Sequence, residues 1–165
     1  MNQFQPDPLY AKGHYDAHDY NIVPDRYIPV VGWRGWNVDE NGYLNSLAWP
    51  YVWYPTVQTA KCFNYHKEPG HLTPSLQCRC GLYGLNDLDM LHGAVGGCHL
   101  IGRVALWGKV VVGTMGHRAE FAYPQALFIT RFMPNYMGIV AKLEQYRVPI
   151  LHASAIQNQA ALWYY

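Results

Sequence analysis

Between Leu100 and Tyr123 the chain carries two long alternating runs separated by Gly113-Thr114-Met115-Gly116, and this pattern commits the middle of the chain to an antiparallel β-hairpin. In an extended backbone Leu100, Gly102, Val104, Leu106, Val110 and Val112 share one side, while Ile101, Arg103, Ala105, Trp107, Lys109 and Val111 share the other. With Val112 paired to His117 across the turn, the register sets Val111 opposite Arg118 and Lys109 opposite Glu120. The first side, joined by Ala119, Phe121 and Tyr123, is then the core face. The second is amphipathic, with Trp107 among Arg103, Lys109, Arg118 and Glu120.

Residues 1–29 read as a flexible arm. Pro6, Pro8, Pro24 and Pro29 interrupt it, and neither period 2 nor period 3.6 is present. Its tyrosines, among them Tyr10, Tyr15, Tyr20 and Tyr27, give it a means of ordering against a partner or of joining two copies into a homodimer. A single β-rich domain is expected over 30–165. Val31, Trp33, Trp36 and Val38 form a strand-like run, Asp39-Glu40-Asn41-Gly42 a turn, and Tyr43-Leu44 the returning strand. Trp49 to Pro55 is an aromatic loop, with Pro50 and Pro55 barring a regular central strand. Further strands are expected over 56–63, 80–85 and 126–130, with a helical turn over 87–92. Tyr136, Ile139, Val140 and Leu143 follow helical spacing behind Asn135 as N-cap, and Val148-Pro149-Ile150 ends that helix. The fold class is therefore α+β, mostly β: a small β-barrel with one helix in its C-terminal half.

Half of the residues are apolar and 14% are charged, enough to bury a core and too apolar for a wholly disordered chain. Twelve basic and eleven acidic residues leave a net charge of +1, which excludes a general electrostatic grip on a nucleic-acid backbone. Met1 to Tyr10 lacks Lys, Arg and an apolar core, and no stretch approaches the ~18 apolar residues needed to span a bilayer. A soluble, cytoplasmic protein with no membrane partner is the expectation.

The chemistry is concentrated in one segment. Cys62, His71, Cys78 and Cys80 give C-x8-H-x6-C-x-C, with His66 as a spare ligand. Thiolates and neutral imidazole are the donors that tetrahedral Zn²⁺ prefers. The loop they span contains Pro69, Gly70 and Pro74 and little core of its own, so a metal crosslink would supply what packing does not. The spacing is not that of a standard finger: both cysteines of C-x-C reach one ion only if the chain bends there, and Gly81 permits a bend. A structural Cys3His zinc site is the leading expectation. A Cys62–Cys78 or Cys62–Cys80 disulfide is a competing use of the same thiols, disfavoured by a cytosolic setting. Ordinary buried thiols are another, and Cys98 reads as one. A catalytic metal with Glu68 as base, or a Cys80 nucleophile with His71 or His99, has no supporting signature.

The run Cys78-Arg79-Cys80-Gly81-Leu82-Tyr83-Gly84, with His71 and Pro74 upstream, reads H-x-x-P-x-x-x-C-x-C-G-[IL]-Y-[AG]. Gly102 to Val111 matches G-x-V-x-L-W-G-x-V-V, and Gly116 to Pro124 matches G-[YH]-R-A-E-[YF]-A-Y-P. Together these motifs resemble an uncharacterised family of small proteins of actinobacteria and their phages, over roughly Val31 to Ile150. The resemblance implies that Cys62, His71, Cys78 and Cys80 occupy the family's cysteine and histidine positions; it implies no activity. Gly84 departs from a commoner Ala, as does the aromatic 49–54 loop. Strand order alone is also similar to PUA and ASCH-type barrels, which hold RNA or modified bases.

Two functions follow as expectations. The first is a non-catalytic, zinc-stabilised module that binds a nucleic acid or nucleotide-like ligand, with Trp107 stacking a base and Arg103, Lys109 and Arg118 beside it, Glu120 at the edge, and Trp33, Trp36 and Trp53 as further walls. The second is a phage accessory protein that binds a host protein through its Tyr- and Trp-rich arm and loop. Asp87 and Asp89 near His92 and His99 define no reaction class, so no enzyme is expected.

Overall fold

The long hairpin forms as its alternation requires, and the rest of the chain is arranged around it. The structure is a computed structural model that describes residues 21–48, 50–62, 71–94, 98–130 and 135–156. Among these, eight strands form one hydrogen-bonded system: β1 (Asn21–Val38), β2 (Leu44–Ser46), β3 (Val52–Trp53), β4 (Gln58–Thr59), β5 (Leu82–Leu85), β6 (Leu100–Val112), β7 (Gly116–Ile129) and β8 (Ile150–His152). Helices α1 (Asp89–Ala94) and α2 (Tyr136–Leu143) and the 3-10 turns Glu144–Tyr146 and Ala153–Ala155 complete the described elements. The protein is mostly β.

Both β5 and β6 pair with β1 on one side and β7 on the other, so these four strands close a ring. β2 and β3 continue outward from β1, while β4 and β8 attach to β7. β8 runs parallel to β7, because α2 and the 3-10 turn after it return the chain before it pairs.

The expected register holds at the turn: Val112 pairs with His117 and Val111 with Arg118. Further from the turn it slips. Gly108 and Lys109 together face Glu120, between the pairs Val110–Ala119 and Trp107–Phe121, a bulge made by one extra residue in β6. Gly108 takes φ +73°, the left-handed conformation such a bulge asks of one of its residues. The phase of β7 changes with it. Ala119 and Ala122 enter the core, while Phe121 leaves the expected core face and pairs with Trp107. Pro124 sits opposite Val104 beside a second register shift, which lets β7 run unbroken through a residue that cannot donate to a ladder.

The boundary expected at residue 29 is corrected. Residues 21–29 belong to β1, whose ladder with β6 begins at Asn21 opposite Val112. The prolines that read as breakers fall where the ladder itself is irregular: the register shifts between Val23 and Arg26 and again between Arg26 and Val30. The remainder of the expected arm, 1–20, lies outside the described residues, as do His66, Glu68 and the segment 157–165.

One apolar cluster forms the main core and draws on strands of the ring and on the elements around it. Trp36, Leu44, Trp53, Leu100, Val104, Leu106, Leu127, Leu143 and Tyr146 are buried in it, and the Trp36 and Trp53 rings meet edge to face at 5.4 Å. Trp36 and Trp53 are therefore core and not the walls of a ligand pocket. α2 adds Ile139 and Leu143 to the same cluster. Asn135 stands at its N-cap, in the left-handed conformation asparagine tolerates, but its side chain makes no capping hydrogen bond. A second cluster, Leu85, Leu91, Cys98 and Ile101 packed with Trp33, Leu88 and Met90, joins α1 to the ring, so Cys98 is a buried thiol. The turn after β1 forms as expected, with the Asp39 carboxylate accepting from the Asn41 and Tyr43 N–H groups, both at 2.9 Å. No helix among the described residues is long and apolar enough to cross a membrane.

Candidate metal centre

β7 brings together the two ends of the cysteine-bearing segment. β4 pairs with it at Ala122 and Phe121, β5 pairs with it from Ala119 to Gly116, and the Ala60 N–H donates to the Glu120 carbonyl at 2.7 Å. Cys62 therefore follows one strand held on β7, and Cys78 and Cys80 precede another. Within the segment, Thr73 Oγ1 donates to the Ala60 carbonyl at 3.0 Å, and Pro74, after a cis peptide bond, is buried.

The side chains of Cys62, His71, Cys78 and Cys80 meet. Their ligand atoms all lie within 4.8 Å of one another, and this group could hold a metal ion. Cys62 Sγ and Cys78 Sγ are 3.6 Å apart, and His71 Nε2 is 3.2 Å from Cys80 Sγ. Two sulfurs on one tetrahedral zinc would be about 3.8 Å apart, and a sulfur and an imidazole nitrogen about 3.5 Å. A disulfide would need about 2.05 Å. No disulfide joins the four cysteines, and the spacing fits a shared ion.

Two residues apart on a straight strand, Cys78 and Cys80 would project from one face with their Cα atoms about 6.6–6.8 Å apart, and their sulfurs would have to lean together to share an ion. The chain bends instead: β5 begins only at Leu82, and Gly81 turns the backbone at φ +130°. A Cβ at Gly81 would stand 3.0 Å from Arg118 Cβ and 3.2 Å from Pro74 Cβ, so the bend is also tightly enclosed. Burial pushes the Cys80 thiol up to about 12, opposed by a backbone hydrogen bond at Ser75 and reinforced by the Cys78 and Cys62 thiols. Burial and crowding thus keep this sulfur protonated, and a bound cation would favour its thiolate instead.

Arg118 is corrected most. It is 4% exposed and offers nothing to an outer ligand. Its Nη1 donates to the carbonyls of Ser75 at 3.2 Å, of Cys80 at 2.9 Å, and of Cys78. The cysteine-bearing segment covers its face of β7, which period-two alternation does not reveal. The signal was its apolar cross-strand neighbour Val111, itself fully buried. Tyr83, which the sequence motif contains without giving it a role, acts here too: its hydroxyl donates to the Arg79 carbonyl.

The other expected ligand-binding residues divide. The Arg103 guanidinium lies over the Trp33 ring, 5.0 Å from its centroid, and the two are paired across β1 and β6. Trp107 keeps company with Phe121, ring centroids 6.1 Å apart, and at the adjacent bulge the Lys109 N–H donates to Glu120 Oε2 at 3.2 Å. His99 is held elsewhere, its Nδ1 accepting from the Val38 N–H at 3.1 Å.

Comparison with protein-family models, with curated proteins and with solved structures finds no match. The resemblance carried by the 71–84 and 102–124 motifs gains no support from these comparisons.

Proposed function

We propose that the chain is a non-catalytic recognition module whose mid-chain segment is fastened to the strand ring by a structural zinc ion on Cys62, His71, Cys78 and Cys80. The observation that carries this reading is the convergence of three sulfurs and one imidazole within 4.8 Å. That donor set is soft and borderline, suited to zinc and unsuited to calcium or magnesium. Four protein donors fill a tetrahedral shell and leave no position for a reacting water, so the ion serves structure. Metal-ligand bonds then supply stability to a segment in which, among its described residues, Pro74, Ser75 and Cys80 are the buried ones. Elemental analysis of protein purified without added metal tests it. About one zinc per chain, with a lower melting temperature in chelator, is expected; zinc well below one equivalent and unchanged melting in chelator would remove the reading.

The recognition half of the proposal draws on the outer side of the β6–β7 bulge. Trp107 and Phe121 stand together outside both apolar clusters, beside Lys109. A half-buried indole of this kind can stack a base, a contact worth ~1–3 kcal/mol, and a neighbouring ammonium can meet a phosphate. The net charge of +1 favours a single nucleotide or short single strand over a long groove. Closure of the β1–β5–β7–β6 ring supports a small barrel, and a PUA-like fold belongs to the same proposal. Titration with short oligonucleotides, followed by tryptophan fluorescence, should show quenching that Trp107→Ala abolishes; identical binding by that variant would remove this half and leave the metal half standing.

A further inference from the structure

We infer that Arg118 is a positioning residue of the metal centre: its guanidinium holds the Cys78-Arg79-Cys80 bend in the shape that turns both thiols toward one ion. The inference rests on the zinc reading above and deepens it, since it names what shapes the site from beneath.

The geometry is specific. The carbonyl oxygens of Cys78 and Cys80 both accept from one nitrogen, Arg118 Nη1. Two oxygens hydrogen-bonded to a single nitrogen lie no more than about 6 Å apart. Carbonyls of residues i and i+2 on an extended strand are separated by about 6.6–6.8 Å. Convergence on Nη1 therefore requires the backbone to fold inward between the two cysteines, whose thiols meet with Cys62 and His71 in one cluster. A third carbonyl, that of Ser75 at 3.2 Å, ties the preceding turn to the same nitrogen, and Cys78 N–H closes that turn on Ser75 at 3.4 Å.

Charge acts in the same direction. Three thiolates, one neutral imidazole and one Zn²⁺ sum to a net charge of −1, opposite in sign to the guanidinium buried beside the loop. Arg118 is anchored independently of the loop, because it lies within the β7 ladder opposite Val111 on one side and Tyr83 on the other. It is a fixed template on a strand, against which the described part of the cysteine-bearing segment, 71–81, takes its shape without strands of its own. Partners that orient ligands in this way change metal affinity by about 10- to 100-fold when removed.

The test compares wild-type protein with Arg118→Met and Arg118→Lys, loaded with Zn²⁺ against a chromophoric chelator and separately with Co²⁺. Arg118→Met is expected to hold zinc about 10- to 100-fold more weakly. Its cobalt d–d and thiolate charge-transfer bands should move away from those of the wild-type centre. Arg118→Lys, which keeps the charge and three N–H donors on one nitrogen, should fall between the two. A purely structural role would lower the melting temperature of the metal-free protein and leave zinc affinity and cobalt spectrum unchanged. That result in Arg118→Met overturns the inference. Should Arg118→Met not fold, the same result in Arg118→Lys overturns it. A wild-type chain that takes up neither ion removes the metal reading itself, whereas wild type and variants binding alike remove only the part assigned to Arg118.

Discussion

Tyr83 and Arg118 face each other across the β5–β7 ladder, and between them they hold the three successive carbonyls of Cys78, Arg79 and Cys80. The two contributions differ in burial. Arg118 works beneath the loop at 4% exposure, whereas the Tyr83 hydroxyl reaches Arg79 at the surface, where water can replace it. Tyr83→Phe should therefore lower stability by only about 0.5–1.5 kcal/mol, the net worth of one replaceable hydrogen bond. Thermal melts of the zinc-loaded variant check this. A loss beyond about 3 kcal/mol would mean that the Arg79 carbonyl is not resolvated when the hydroxyl goes.

Zinc uptake should release protons. Burial holds the Cys80 thiol at about 12, so in metal-free protein near neutral pH this sulfur is a neutral thiol. It enters the metal shell as a thiolate, and the displaced proton goes to the buffer. Calorimetric zinc titrations in buffers of different ionisation enthalpy should give apparent enthalpies that vary with the buffer. Cys80→Ser should reduce the number of protons released as well as the affinity. Enthalpies identical in all buffers would contradict a thiol that is protonated before binding.

What the sequence makes legible here is whatever depends on period and donor chemistry. The β6–β7 hairpin and its register next to the turn follow from alternation around Gly113–Gly116, and the Cys/His quartet stands out because soft donors crowd a stretch with little core. What it conceals depends on tertiary cover. Arg118 looks like part of a charged outer face until the cysteine-bearing segment is laid over it. Trp36 and Trp53 look like pocket walls because aromatic residues serve equally as core and as surface. Pro24 and Pro29 mark breaks in a ladder and not its absence, so β1 begins earlier than its first apolar run.

The bulge at Gly108 fixes where Trp107 and Phe121 stand, and any side chain there is strained. A Cβ there would come within 2.6 Å of Phe121 Cδ2 and 2.9 Å of Glu120 Oε2, and the residue's φ of +73° disfavours any L side chain besides. Gly108→Ala should cost about 1–3 kcal/mol from backbone strain of this kind. The Phe121 ring must move to admit the methyl group, so Trp107 fluorescence should shift in the folded variant. Wild-type stability together with an unchanged emission spectrum would show that the bulge is not held as described.

Tyr146 sets the alkaline limit of the fold. Fully buried, it accepts from the Leu44 N–H at 2.9 Å and donates to the Trp53 carbonyl, joining the turn after α2 to β2 and β3. Burial raises its phenol from 10.0 to about 12, partly opposed by the Leu44 hydrogen bond. The unfolded chain loses this proton near pH 10 and the folded chain near 12, so the contribution to stability is complete below pH 10 and declines as pH rises to 12. The decline is on the order of 2–3 kcal/mol, since each pH unit between the two ionisations is worth about 1.4 kcal/mol. The raised phenols of Tyr51 and Tyr123 add to it in the same direction. Tyr146→Phe should be less stable than wild type at neutral pH by about 1–3 kcal/mol, because the Leu44 N–H and Trp53 carbonyl lose their partner. Yet its stability should fall less steeply between pH 10 and 12, since it has no phenol to ionise there. Denaturant unfolding at several pH values measures both slopes; parallel curves for the two proteins would mean that the alkaline loss arises elsewhere.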